Sequence, residues 1–113
     1  MTQSELADRV LEHMGVKAAN QDAAGNDSVR AQEAVLSAWY RLRKVGMIPF
    51  AITAIPEWAQ IPLRNVVAGD MASTFGLSGE RLQVVLSAAQ AGERELSRQV
   101  AGKARTKVRA KYF

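Results

Sequence analysis

Apolar residues return at helical intervals along most of this chain, and three times the run is closed by a glycine. Leu6, Val10, Leu11 and Met14 precede Gly15; Val35, Trp39 and Leu42 precede Gly46; Val66, Val67, Met71 and Phe75 precede Gly76. Spacings of three and four gather side chains onto one face of an α-helix. A glycine just past the last of them can take the left-handed conformation that turns the backbone out of the helix. Leu82, Val85, Leu86, Ala89, Leu96 and Val100 extend the same periodicity into a further helix of some twenty residues. One-sided helices bury their stripes only against each other, so the pattern predicts an all-α, four-helix bundle-like fold.

Capping residues sharpen the boundaries. Thr2 and Glu5 have the spacing of a capping box, which starts the first helix at about residue 3 and runs it to 14. GVKAANQDAAGND lacks periodicity and reads as a loop. Asp27 or Ser28 can cap the second helix, which runs to about Val45. Pro62 suits the first turn of the third, where its missing N–H costs nothing. Ser78 caps the fourth, with Leu77 and Leu82 placed as a hydrophobic staple. Ala88, Ala89, Ala91 and Gly92 leave the middle of that helix thin, so another helix can approach closely. The connection MIPFAITAIPEWA is apolar but broken by Pro49 and Pro56, which predicts a loop or a short edge hairpin.

At 113 residues the chain is of one-domain size. It has no cysteine, which excludes disulfides and Cys-based metal sites. The opening MTQSELADR is polar and acidic, so no secretory signal is expected, and no apolar stretch reaches the ~20 residues of a membrane span. A cytosolic protein without membrane attachment is the expectation.

The net charge of +4 hides an asymmetry. Residues 1–97 carry nine Lys and Arg against eleven Asp and Glu, whereas residues 98–113 carry six Lys and Arg and no acid. Within GKARTKVRAKYF, Lys103, Arg105, Lys107, Arg109 and Lys111 fall on every second residue, ahead of Tyr112 and Phe113. Extended backbone would put all five on one side. The alternation therefore predicts a helical domain over 1–101 and an extended basic arm over 102–113, reaching about 35 Å at ~3.3 Å per residue. Such an arm can add a strand to a partner's sheet edge or lie in an acidic groove.

Chemistry finds little footing. His13, the single histidine, sits near a helix C-terminus, where the helix dipole favours it. There is no nucleophile elbow, phosphate loop or placed carboxylate pair. The residues predict a non-enzyme with no cofactor and no metal.

Two further features bear on partners. DMASTFGLSGERLQVVL, within 70–86, satisfies the apolar pattern of a helix-turn-helix about Gly76. The side chains it would present are Ser78, Gly79, Glu80, Arg81, Gln83 and Val84, with one cation among them, a poor set for phosphate. Met47, Ile48, Phe50, Ile52, Ile55 and Trp58 crowd into the Pro-broken connection and are expected to form an interaction surface, in part a cap on the bundle. Trp39 shares the stripe of Val35 and Leu42 and is expected in the core, with Tyr40 pointing elsewhere.

Taken in order, LADRVLEHMGV, EAVLSAWYRLRKVGMI, LRNVVAGDMASTFGLS and LQVVLSAAQAGERELSRQ resemble the small head-to-tail adaptor, or head-completion, proteins of tailed bacteriophages. The resemblance spans nearly the whole chain and rests on the order and spacing of these segments. It implies a ring, typically of twelve subunits, beneath the portal protein of the virion, assembled in the bacterial cytoplasm. Helical bodies would surround the channel through which genomic DNA passes without sequence readout. Arg98, Lys103, Arg105, Lys107, Arg109, Lys111, Tyr112 and Phe113 would dock on the portal. The connection over 46–58 would meet a neighbouring copy or the downstream tail protein. This chain stops soon after its basic stretch, where some such proteins continue.

Overall fold

In the computed structural model Gly15 and Gly46 close the first two helices, and Gly76 closes the turn that follows the third, all by the same device. Gly15, Gly46 and Gly76 have φ of 76°, 82° and 72°. Their N–H groups donate to the carbonyls of Glu12, Arg43 and Ser73. The next residues, Val16, Met47 and Leu77, donate to Leu11, Leu42 and Ala72 at 2.9, 2.9 and 3.0 Å. This pair of bonds is the Schellman arrangement, which satisfies carbonyls that a helix end leaves open. In all three the residue after glycine is apolar and packs against the core. One motif therefore stops the helix or turn and seals its end.

The structure describes residues 1–17 and 25–112, with side chains described through Gly102. The order is α1 (Gln3–Met14), α2 (Gly25–Lys44), α3 (Glu57–Met71) and α4 (Gly79–Tyr112). No strand occurs among the described residues, so the fold is all-α and the connection between α2 and α3 is a loop, not a hairpin. Thr2 caps α1, its hydroxyl accepting from the Glu5 N–H at 3.3 Å.

Helix α3 is the hub. It packs against α1, α2 and α4, while α1 also packs on α2. Leu6, Val10, Leu11, Val35, Leu42, Leu63, Val67 and Leu96 are all 2 % exposed or less and form the centre of one core. Burying each such side chain stabilises by about 1.5–3 kcal/mol. The thin middle of α4 serves the approach the sequence implies. A Cβ placed on Gly92 would lie 2.6 Å from the Pro62 carbonyl oxygen, and one on Gly69 would lie 2.5 Å from the Ala89 Cβ. Both are shorter than any tolerable carbon contact, so the two helices meet backbone to backbone.

Several boundaries differ from expectation. Helix α2 is already formed at Gly25, ahead of the expected caps Asp27 and Ser28, and helix α3 ends at Met71, short of Gly76. Helix α3 starts at Glu57, not near Pro62, which lies inside it. The first turn is held by tertiary contacts that outweigh the one hydrogen bond Pro62 cannot make: Ala59 is fully buried, and Trp58 meets Phe50 edge-on at 5.7 Å. The remaining difference concerns the basic end. The extended arm expected over 102–113 is corrected: α4 continues as helix to Tyr112, with no break at the expected domain boundary. Lys, Arg and Ala are strong helix formers, and Gly102 costs only about 1 kcal/mol in a helix already nucleated. A strand also needs a ladder partner, and no strand occurs among the described residues.

Candidate functional site

The apolar connection is built chiefly into the body. The Trp39 indole N–H donates to the Phe50 carbonyl at 3.0 Å. Met1 and Ile55 exchange backbone bonds, the terminal amine donating to the Ile55 carbonyl at 3.2 Å and the Ile55 N–H to the Met1 carbonyl at 2.9 Å. Ile48 and Ile55 are 5 % and 2 % exposed. Their expected place on an interaction surface is therefore corrected: the loop folds back under these two bonds and turns both isoleucines inward. Met47, Phe50, Ile52 and Trp58 are half-buried against the same core and keep part of their surface free. Trp39 is buried at 6 % exposure, while Tyr40 is 61 % exposed, as their positions on the stripe imply.

Beyond Leu96 the surface of α4 opens. Arg94, Ser97, Arg98 and Ala101 are exposed and, with Met47, Glu93 and Gly102, line a groove of about 590 Å³. Arg98 pairs with Glu95 one turn back, and Arg94 has no ion-pair partner among the described residues. Arg41 of α2 bridges Asp70 of α3 at 2.9 Å and Glu93 of α4 at 3.3 Å. Burial raises the Asp70 carboxyl above its ordinary range, with Arg41 working against that. These groups are about half exposed, so the bridge orients α4 more than it stabilises it. The side chains of Lys103, Arg105, Lys107, Arg109, Lys111, Tyr112 and Phe113 lie outside the described residues.

The helix-turn-helix segment has the geometry its pattern requires, with Ala72 and Val85 buried and Gly76 at the turn. Ser78, Gly79, Glu80, Gln83 and Val84 are exposed. Arg81, the one cation among the side chains it would present, is drawn back over the end of α1: a Cβ on Gly15 would strike its guanidinium. Arg81 is itself exposed, and its charge lies beside the C-terminal end of α1, where the helix dipole favours a cation.

His13 stands where α1, α3 and α4 meet. Its Nε2 is shielded from solvent and has no hydrogen-bond partner. Burial first, then the charges of Arg64 and Arg81, hold the imidazole below its ordinary 6.5. The sign follows directly. A histidine with a lowered value in the folded state binds protons more tightly when unfolded, so stability falls as pH drops from about 6.5 through that lowered value. Urea midpoints measured above and below this window should show the loss, and His13→Gln should flatten it.

This cluster was not legible in the sequence, because its members come from three helices; only the four-residue spacing of Arg9 and His13 hinted at it. Among the described residues no group of three His, Cys, Asp or Glu side chains is placed to hold a metal. No described helix is long and apolar enough to cross a membrane. Comparison of the chain with known protein families, curated proteins and solved structures finds no match.

Proposed function

We propose that this protein is a structural adaptor, not an enzyme, of the head-to-tail junction of a tailed bacteriophage. Copies assemble as a ring beneath the portal, join it to the downstream tail protein, and surround the passing DNA. The observation that carries the reading is the segregation of charge: a body with slightly more acids than cations, and, over residues 98–113 at the end of α4, six cations and no acid. A body without surplus positive charge suits a channel in which DNA must slide, since each neutralised phosphate would add grip. The cations are then free to serve a protein partner.

Helical continuity changes how that partner is engaged. An α-helix has no free backbone ladder, so docking by strand addition gives way to a cationic helix lying in an acidic groove. The open groove beside Arg94, Arg98 and Met47 extends the same surface onto the body. Each contact is modest, but a ring presents many at once, and effective concentration multiplies them.

Deleting residues 103–113 tests this. The truncated chain should keep the circular dichroism of a folded helical body, because the core residues Val85 and Leu96 lie upstream of the cut. Mixed with its candidate portal, it should fail to form the rings that the full chain forms in electron micrographs. Unchanged ring assembly would reject the reading. Binding of duplex DNA that depends on base sequence at fixed salt would favour the helix-turn-helix alternative instead.

A further inference from the structure

Four basic groups from three helices lie along the seam between α1 and α3. Arg9 and His13, one turn apart, share a face of α1. Arg64 comes from α3, and Arg81 from the start of α4 lies across Gly15. The carboxylate paired at this seam is Glu12, which is divided between Arg9 at 3.3 Å and Lys17 at 3.5 Å. Arg64 is half-buried and has no ion-pair partner among the described residues. Its Nε and Nη2 donate to the neutral side-chain oxygen of Asn65 at 3.2 and 3.0 Å.

A charge taken from water is normally compensated by a counter-charge, because its desolvation is costly. For Arg64 and His13 that compensation is missing, whereas Arg9 is paired with Glu12 and Arg81 is exposed. Burial and the charge of Arg9 lower Arg64, while Arg64 and Arg81 lower His13. The same seam is hollow: Arg9 and Arg64, with Gln60, Ile61, Met1 and Leu6, line a cavity of about 270 Å³. Two guanidiniums opening into one cavity are the geometry that holds an oxyanion by paired, charge-assisted hydrogen bonds.

We infer that the seam is an oxyanion site, in which a phosphate-type group sits between the Arg9 and Arg64 guanidiniums, one turn of α1 from His13. Gln60 lies on the same wall as a neutral donor. The inference goes beyond the adaptor reading and does not depend on it, since it uses neither the basic end of α4 nor any ring.

The single histidine makes the test local, because its imidazole resonances report this seam alone. The full chain is titrated by NMR with sodium phosphate, against sodium chloride at equal ionic strength, and separately with a short duplex of mixed sequence. Phosphate should saturate and move the His13 titration to higher pH by about one unit, as a nearby opposite charge does. Arg64→Gln should abolish that response while leaving the helical circular dichroism unchanged, and Arg9→Gln should weaken phosphate binding about tenfold or more, the worth of one charge-assisted hydrogen bond. A response to the duplex alone would support the same site with a phosphodiester as its source. The inference is overturned if chloride moves His13 as far as phosphate does, if neither phosphate nor duplex moves it, or if both variants keep the full phosphate response.

Discussion

Gly92→Leu should lower the unfolding free energy by about 3 kcal/mol or more, with α4 losing its seat on α3. The position sits where the helices touch through their backbones, 2.6 Å from the Pro62 carbonyl oxygen and 3.3 Å from a Val66 methyl as measured from an ideal Cβ. A flexible side chain would move aside; a carbonyl in the middle of α3 does not. Any side chain here must push the helices apart and expose Val85 and Leu96, which are 3 % and 0 % exposed. The gain in helix propensity on replacing glycine, about 1 kcal/mol, is too small to offset this. Gly102→Ala supplies the control of opposite sign. Nothing lies within 4 Å of a Cβ there, so that substitution should raise helicity and leave the urea midpoint equal or higher. If Gly92→Leu unfolds at the wild-type midpoint, the close approach of α3 and α4 is wrong.

Trp39→Ala should cost about 3–5 kcal/mol, a large share of the 5–15 kcal/mol that holds a domain of this size together. Three attachments are lost with the ring: its buried surface, the indole bond to the Phe50 carbonyl, and the Arg43 guanidinium lying 4.8 Å over its face. The connection between α2 and α3 should loosen with it, because Phe50 is the residue through which Trp58 is reached. Trp39→Phe separates the effects. It keeps most of the volume but leaves the Phe50 carbonyl without its donor, for an expected cost of about 1–3 kcal/mol. Equilibrium urea unfolding followed by the emission of Trp58 reads both variants. Equal midpoints for the two would mean that the indole bond, not packing, fixes the loop.

These positions show which parts of the molecule were legible in the sequence. The glycine-closed ends of α1 and α2, the inward Trp39, the outward Tyr40 and the thin flank of α4 all follow from local rules, and those rules prevailed; the same rule at Gly76 closed a turn beyond α3 and not the helix itself. What failed to be legible depends on distant partners. Nothing near Glu57 announces a helix start; Ala59 and Trp58 are held by residues that are remote in sequence or in the loop. The inward turn of Ile48 and Ile55 required the Trp39–Phe50 and Met1–Ile55 bonds, neither of which leaves a sequence signature. The alternation of cations was read as a strand because spacing of two fits one, yet spacing alone cannot outweigh a run of helix formers that continues an existing helix. The grouping of Arg9, His13, Arg64 and Arg81 along one seam is a product of topology, visible only once three helices are assembled.

Because α4 is seated principally on α3 near Gly92 and Leu96, its remaining length acts as a lever with a short fulcrum. The twenty residues from Gly92 to Tyr112 span about 30 Å, so a tilt of about 10° at the seat would sweep the far end through about 5 Å. Past Leu96 no described side chain of α4 is buried in the core, so the length beyond the seat has nothing of its own to hold it against such a tilt. On the adaptor reading proposed above, a tilt of this kind would let the end of α4 meet partner rings of different diameter while the core stays unchanged.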